Sequence, residues 1–135
     1  MTNKMIASLA AAAALFSTSA LAEVVVVVNP KAAESTMTKE QVAQFFLGKS
    51  SAMTPIDQAD SSPVRAEFYK KVAGKDAAQA KALWSKLVFT GKATMPKEVA
   101  DSAAVKAAVA ANPKAIGYID KGAVDGSVKV VHTAQ

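Results

Sequence analysis

One segment of the chain combines the residue types and spacing of a ligand site: Asp57-Gln58-Ala59-Asp60-Ser61-Ser62-Pro63-Val64-Arg65. Ser62 stands where an N-cap belongs and Pro63 where the first helical residue belongs, so a polar turn runs directly into a helix start. Amides freed at such a start lie at the positive end of the helix dipole, and an oxyanion satisfies several of them at once. Ser61 and Ser62 add hydroxyl donors. Arg65, the only arginine, follows one turn later and has the forked geometry for bidentate contact with an anion. Asp60 can accept the proton that hydrogen phosphate carries and sulfate lacks, which would select phosphate. The same aspartate and serines are also what an ordinary turn and helix cap require, so the residues alone leave both readings open.

Other chemistry is thinly represented. The lone histidine, His132, reads as a solvated tail residue, which leaves a Ser-His-Asp triad or a zinc site without its parts. With no cysteine, thiol catalysis and thiolate-bound metal are excluded, and packing must hold the fold without disulfides. Neither GxGxxG nor GxxxxGK[ST] occurs, so no nucleotide cofactor is expected. Phe89-Thr90-Gly91-Lys92 has half the pattern of a phosphate loop and reads more simply as a helix C-cap. The expectation is a protein that is not an enzyme, with no catalytic residues, metal or cofactor. A formal net charge of +5 favours anionic partners in general, but the lysines are spread along the chain without arginine clusters, which argues against nucleic acid.

The elements that would position the turn follow from local signals. Val24 to Val28 is a run of five valines that reads as a strand covered on both faces. Thr38 and Gln41 form a capping-box pattern for a helix that buries Val42, Phe45 and Phe46 and ends at Gly48. A short strand is expected around Met53 to Ile56, with Asp57 to Ser62 as turn. The next helix starts at Pro63, carries Val64, Phe68 and Val72 inward, and stops at Gly74. Asp76 opens another, with Leu83, Trp84, Leu87 and Val88 as its apolar face and Gly91 as its end; the aromatic residues, Phe89 included, are expected in the core. Lys92 to Lys97 reads as a connector. A last helix capped at Ser102 buries Val105, Ala108 and Val109, and strands follow at Ala115 to Ile119 and Ser127 to Val131. Alternating strands and helices predict an α/β fold with a mixed or mostly parallel sheet flanked by helices.

Residues 1 to 22 have the order of a secretory leader: Lys4, the apolar run Ile6 to Phe16, and Ala20-Leu21-Ala22 before the cleavage point. The run is short of the ~20 residues that cross a bilayer, so no transmembrane anchor is expected. The mature domain is then 23 to 135, and its place the periplasm.

Taken in order, Phe46-Leu47-Gly48-Lys49, Asp60-Ser61-Ser62, Phe68-Tyr69, Leu87 to Lys92 and Asn112-Pro113-Lys114-Ala115-Ile116-Gly117-Tyr118-Ile119 resemble one lobe of the phosphate-type periplasmic substrate-binding proteins of ABC transporters, in particular small stand-alone members. The resemblance covers nearly all of residues 23 to 135. It implies a single lobe of a periplasmic-binding-protein type II fold and recognition of an inorganic oxyanion. In that family the turn carries an arginine where this chain has Gln58, while Asp60 and Ser62 match and Pro63-Val64 replaces a Gly-Thr pair. The family's cationic ligand is therefore lost unless Arg65 substitutes. The expected ligand set is Gln58, Asp60, Ser61, Ser62 and Arg65, holding phosphate or a similar oxyanion weakly. The competing reading is a protein-interaction module that contacts an envelope partner or a second copy of itself.

Overall fold

The computed structural model describes residues 23–134. The expected leader at 1 to 22 and its cleavage point lie outside the described residues.

Val24–Val28 forms strand β1, and every one of its side chains is buried. Both faces are covered because β1 lies in the interior of a five-stranded sheet ordered β3-β2-β4-β1-β5, where β2 is Thr54–Gln58, β3 Lys97–Val99, β4 Ala115–Asp120 and β5 Lys129–Thr133. β2 runs parallel to β3 and β4, whereas β1 runs antiparallel to β4 and β5, so the sheet is mixed. Val24, Val26 and Val28 face one layer of helices with Ile116 and Tyr118. Val25 and Val27 face the other with Ile119.

The first layer holds helix α1 (Lys39–Phe46) and helix α2 (Pro63–Phe68). Thr38 and Gln41 close the expected capping box on α1, and Val42, Phe45 and Phe46 are its buried face. α2 continues into a wide π turn, Tyr69–Ala73, which ends at left-handed Gly74. The wider turn brings the adjacent residues Phe68 and Tyr69 both into the core, and Phe68 stacks on Tyr118 at 4.0 Å between ring centroids. Val64 is only partly buried and packs at the margin of this cluster.

Helix α3 (Ala77–Phe89) starts on a second capping box, from Asp76 and Gln79. Trp84 is its buried anchor, and the indole N–H donates to the Phe46 carbonyl at 2.7 Å. The residue thus packs on the end of α1, not on the sheet. Gly48 makes that approach possible: its φ is +74°, and a Cβ there would stand 2.3 Å from Leu87 Cδ1. Phe89 is not core: it is 92% exposed, with Val88 at 39%.

Helix α4 (Ser102–Ala111) covers the opposite face through Val105 and Val109. It lies so close to β4 that a Cβ on Gly117 would be 2.5 Å from Val105 Cγ1, so glycine is required there by contact and not by backbone angle. Asp101, not Ser102, caps α4, accepting from the Ala104 amide at 3.0 Å. Three strand boundaries differ from expectation. β2 extends through Asp57 and Gln58, β3 replaces part of the connector after Lys92, and β5 lies two residues later than expected, with a register shift between Val26 and Val27 in its pairing with β1. His132 is accordingly a half-buried strand residue whose Nδ1 is 3.2 Å from the Met37 carbonyl oxygen, not a solvated tail.

Candidate functional site

The parallel strands β2, β3 and β4 end side by side, and two helices begin there: α2 after the turn Ala59 to Ser62, α4 after Ala100 and Asp101. In open α/β sheets this carboxyl edge is where ligands are held.

Gln58 ties the two helix starts together. Its side chain is buried, its amide nitrogen donates to the Tyr118 carbonyl at 2.8 Å and to Ser102 Oγ at 3.3 Å, and its Oε1 accepts from Ser62 Oγ at 2.6 Å. Ser102 Oγ also accepts from the Asp120 amide at 3.0 Å. Ser62 occupies the N-cap position of α2, yet its hydroxyl is drawn to Gln58 and makes no capping bond. Helices α1, α3 and α4 all have a side-chain acceptor for their first amides; α2 has none.

Behind the turn lies a buried ionic network. Asp57 accepts hydrogen bonds from the hydroxyls of Tyr118 and Tyr69, the latter at 2.6 Å, and from the Gln58 amide at 2.9 Å. Burial pushes its carboxyl above the ordinary carboxylate range, while the two phenols, the Arg65 charge and the Gln58 amide pull it back. Arg65 is 3% exposed. Its Nη1 donates to the Gln58 carbonyl at 2.6 Å and to Glu98 at 3.2 Å, and its guanidinium lies 3.7 Å from Asp57 and 3.5 Å from Asp60. Burial disfavours the guanidinium charge, but Asp57 and its neighbours outweigh this and raise the group's pKa. Asp60 is exposed and bonded to Lys81 at 2.6 Å; that bond, then the charge of Arg65, holds its carboxyl below the usual range.

The expected site residues therefore occupy one neighbourhood in different roles. Asp60 and Ser61 are exposed, Ser62 is half-buried, Gln58 is a buried brace and Arg65 a buried counter-ion. Around the turn two cations, Arg65 and Lys81, meet three carboxylates, Asp57, Asp60 and Glu98, so an arriving anion would be met by neutral donors and not by excess positive charge. The sequence reading missed Ser102; its hydroxyl was expected to cap α4, and only the fold places it across the carboxyl edge from Ser62. Among the described residues no group of three or more His, Asp or Glu side chains is placed to hold a metal ion.

No protein-family model matches the chain, and no curated protein matches it. Solved structures do share its fold. An ABC-type phosphate transport receptor from Vibrio cholerae superposes with a TM-score of 0.65 at 20% identity, covering 82% of this chain and 45% of the receptor. A phosphate ABC transporter substrate-binding protein from Clostridium perfringens, solved with phosphate bound, gives 0.66 at 21% identity over 82% and 44% of the two chains. PstS from Borrelia burgdorferi gives 0.63 at 15% identity over 82% and 47%. The chain spans less than half the length of each, and what it shares with that part is the fold.

Proposed function

We propose, on the premise that the fold is one lobe of a transporter's phosphate-binding protein, that this protein is a non-enzymatic solute-binding protein of the periplasm that holds phosphate or a related oxyanion weakly at the Gln58 to Arg65 turn. The observation that carries the reading is the diversion of the Ser62 hydroxyl to Gln58, which leaves the Val64 amide, the first that α2 possesses after Pro63, without a side-chain acceptor. Ser61 supplies a hydroxyl, Ser62 holds the turn in place through its bond to Gln58, and Asp60, kept ionised by Lys81, supplies an acceptor for the proton of hydrogen phosphate. Arg65 acts from beneath, fixing the Gln58 carbonyl and Asp60. A single lobe leaves the anion partly hydrated, and a helix dipole at an exposed end contributes only ~0.3 to 1 kcal/mol. Micromolar binding needs ~8 kcal/mol, so the lobe alone should bind in the millimolar range.

Titration calorimetry of residues 23 to 135 with phosphate and sulfate at low salt checks this. Wild type should prefer phosphate, Ser62→Ala should give no detectable heat, and Asp60→Asn should lose the preference over sulfate. Binding by Ser62→Ala equal to wild type, or none by wild type at tens of millimolar (~2 kcal/mol), would transfer the protein to the competing reading, an interaction module for an envelope partner or a second copy. The observation on that side is the exposed Phe89 beside Val88 at the end of α3.

Export is part of the same proposal. Among the described residues no helix is long and apolar enough to cross a membrane. Intact-mass measurement of protein released by osmotic shock is expected to show a chain starting at Glu23; a mass that retains residues 1 to 22 would remove the leader.

A further inference from the structure

At the opposite end of β2, roughly 13 Å along the strand from Gln58, the loops after α1 and after α3 enclose a groove of about 620 Å³. That volume is in the range of small-molecule sites. Its lining combines the hydroxyl residues Ser50, Ser51, Thr54 and Thr94 with an apolar part and a charged part. Buried Phe45, Met53 and Trp84 provide apolar surface, extended by Met95, which is 41% exposed. Lys49, Lys92 and Lys97 provide charge. No carboxylate lines the groove, and among the described residues none of the three lysines is bonded to one.

The walls are fixed by backbone geometry. Gly48 and Gly91 take left-handed angles that end α1 and α3, and the next amides, of Lys49 and Lys92, bond back to Gln44 and Leu87 carbonyls at 2.8 and 2.9 Å. Two lysines from separate helix ends are thus anchored at the rim of one groove, and Lys97 enters it from the start of β3. The indole of Trp84, held by its bond to Phe46, fixes the apolar side.

We infer that this groove binds a free organic anion with an apolar body, of the class of fatty or aromatic carboxylates, sulfonates and phosphate monoesters, with the acid group among the lysines and the body against Phe45, Trp84 and Met95. Inorganic phosphate lacks the body, and the site proposed for it is the turn at the other end of β2. The two sites stand or fall separately.

Trp84 is the only tryptophan, so its fluorescence reports on the groove directly. The experiment titrates residues 23 to 135 with dodecanoate below its micelle concentration, with dodecanol, and with inorganic phosphate. Dodecanoate should shift the Trp84 emission saturably, dodecanol should bind far more weakly, and millimolar phosphate should not displace dodecanoate. Replacing Lys49, Lys92 and Lys97 together by glutamine should weaken dodecanoate about tenfold or more, since each exposed charge contact is modest alone. These side chains are exposed, so circular dichroism of the triple variant should be native. Equal binding of dodecanoate by the triple variant, equal binding of dodecanol, or displacement by inorganic phosphate would each overturn the assignment. Ser62→Ala should leave dodecanoate binding unchanged, which separates this result from the phosphate titration.

Discussion

Above pH 10 the domain is expected to lose stability steeply and to unfold in one cooperative step, with the phenolate absorbance appearing only as the fold is lost. The chain has two tyrosines, Tyr69 and Tyr118, and both are fully buried with their hydroxyls on Asp57. Burial first, and then the Asp57 carboxylate, raise each phenol far above its ordinary value of 10.0. The sign follows from proton counting. Below pH 10 both folded and unfolded chains keep the phenolic protons, and the stability is intact; above it the unfolded chain releases them while the folded chain retains them, so each pH unit favours unfolding. Two such groups give about 2.7 kcal/mol per pH unit, or about 5 kcal/mol by pH ~12, comparable with the whole stability of many domains. Circular dichroism and phenolate absorbance followed together should change at the same pH. A gradual rise in phenolate signal over a native spectrum would show that one hydroxyl reaches water and would sink the prediction.

Arg65→Ala is expected to be among the most damaging substitutions in the chain, whether or not phosphate binds. It strands Asp57 among two aromatic rings with no cation within the core, and removal of one partner from a buried pair costs about 3 to 5 kcal/mol. Urea unfolding measures this. In the double variant Asp57→Asn, Arg65→Met the losses should add to less than the sum of the singles, with a coupling of ~0.5 to 3 kcal/mol. A change below ~1 kcal/mol for Arg65→Ala would mean that Glu98 and Asp60 at the surface are its effective partners and that burial keeps Asp57 neutral. The same result bears on the anion site: loss of phosphate binding in Arg65→Ala would reflect an unsettled turn, so the exposed Asp60 is the cleaner probe.

The sequence was informative where a structure is set by neighbours in the chain. The boxes at Thr38 with Gln41 and at Asp76 with Gln79, the left-handed stops at Gly48, Gly74 and Gly91, and the covered strand Val24–Val28 all arise from contacts within a few residues or from composition alone. It failed where distant partners decide. Asp57 and Gln58 are polar residues after a short apolar run and read as turn, yet Tyr69, Tyr118, Ser62 and Ser102 satisfy their polar atoms and make them interior strand residues. Lys97–Val99 is too short and too polar to signal a strand, and exists because Gln58 and its neighbours offer a paired edge. Phe89 continues the apolar stripe of α3 in sequence, but the helix leaves the core before reaching it. The proposed phosphate turn was legible as a segment; that its arginine serves the interior was not.

The placement of β1 governs when the chain can fold. Its five valines, at the start of the described residues, pair only with β4 and β5, at the end: Val24 lies opposite Asp120, and Val25 opposite Thr133. Such pairing is dominated by long loops, which slows folding and delays it until the last strand is available. A nascent chain that has not yet reached residues 115 to 133 carries an unpaired, uncharged strand of high β propensity, the kind of segment that recruits other chains. The fold therefore cannot be assembled progressively from its N-terminus during synthesis. Its first-made strand is the last to be satisfied, and until then the valine segment needs a holding chaperone or dilution to keep it from aggregating.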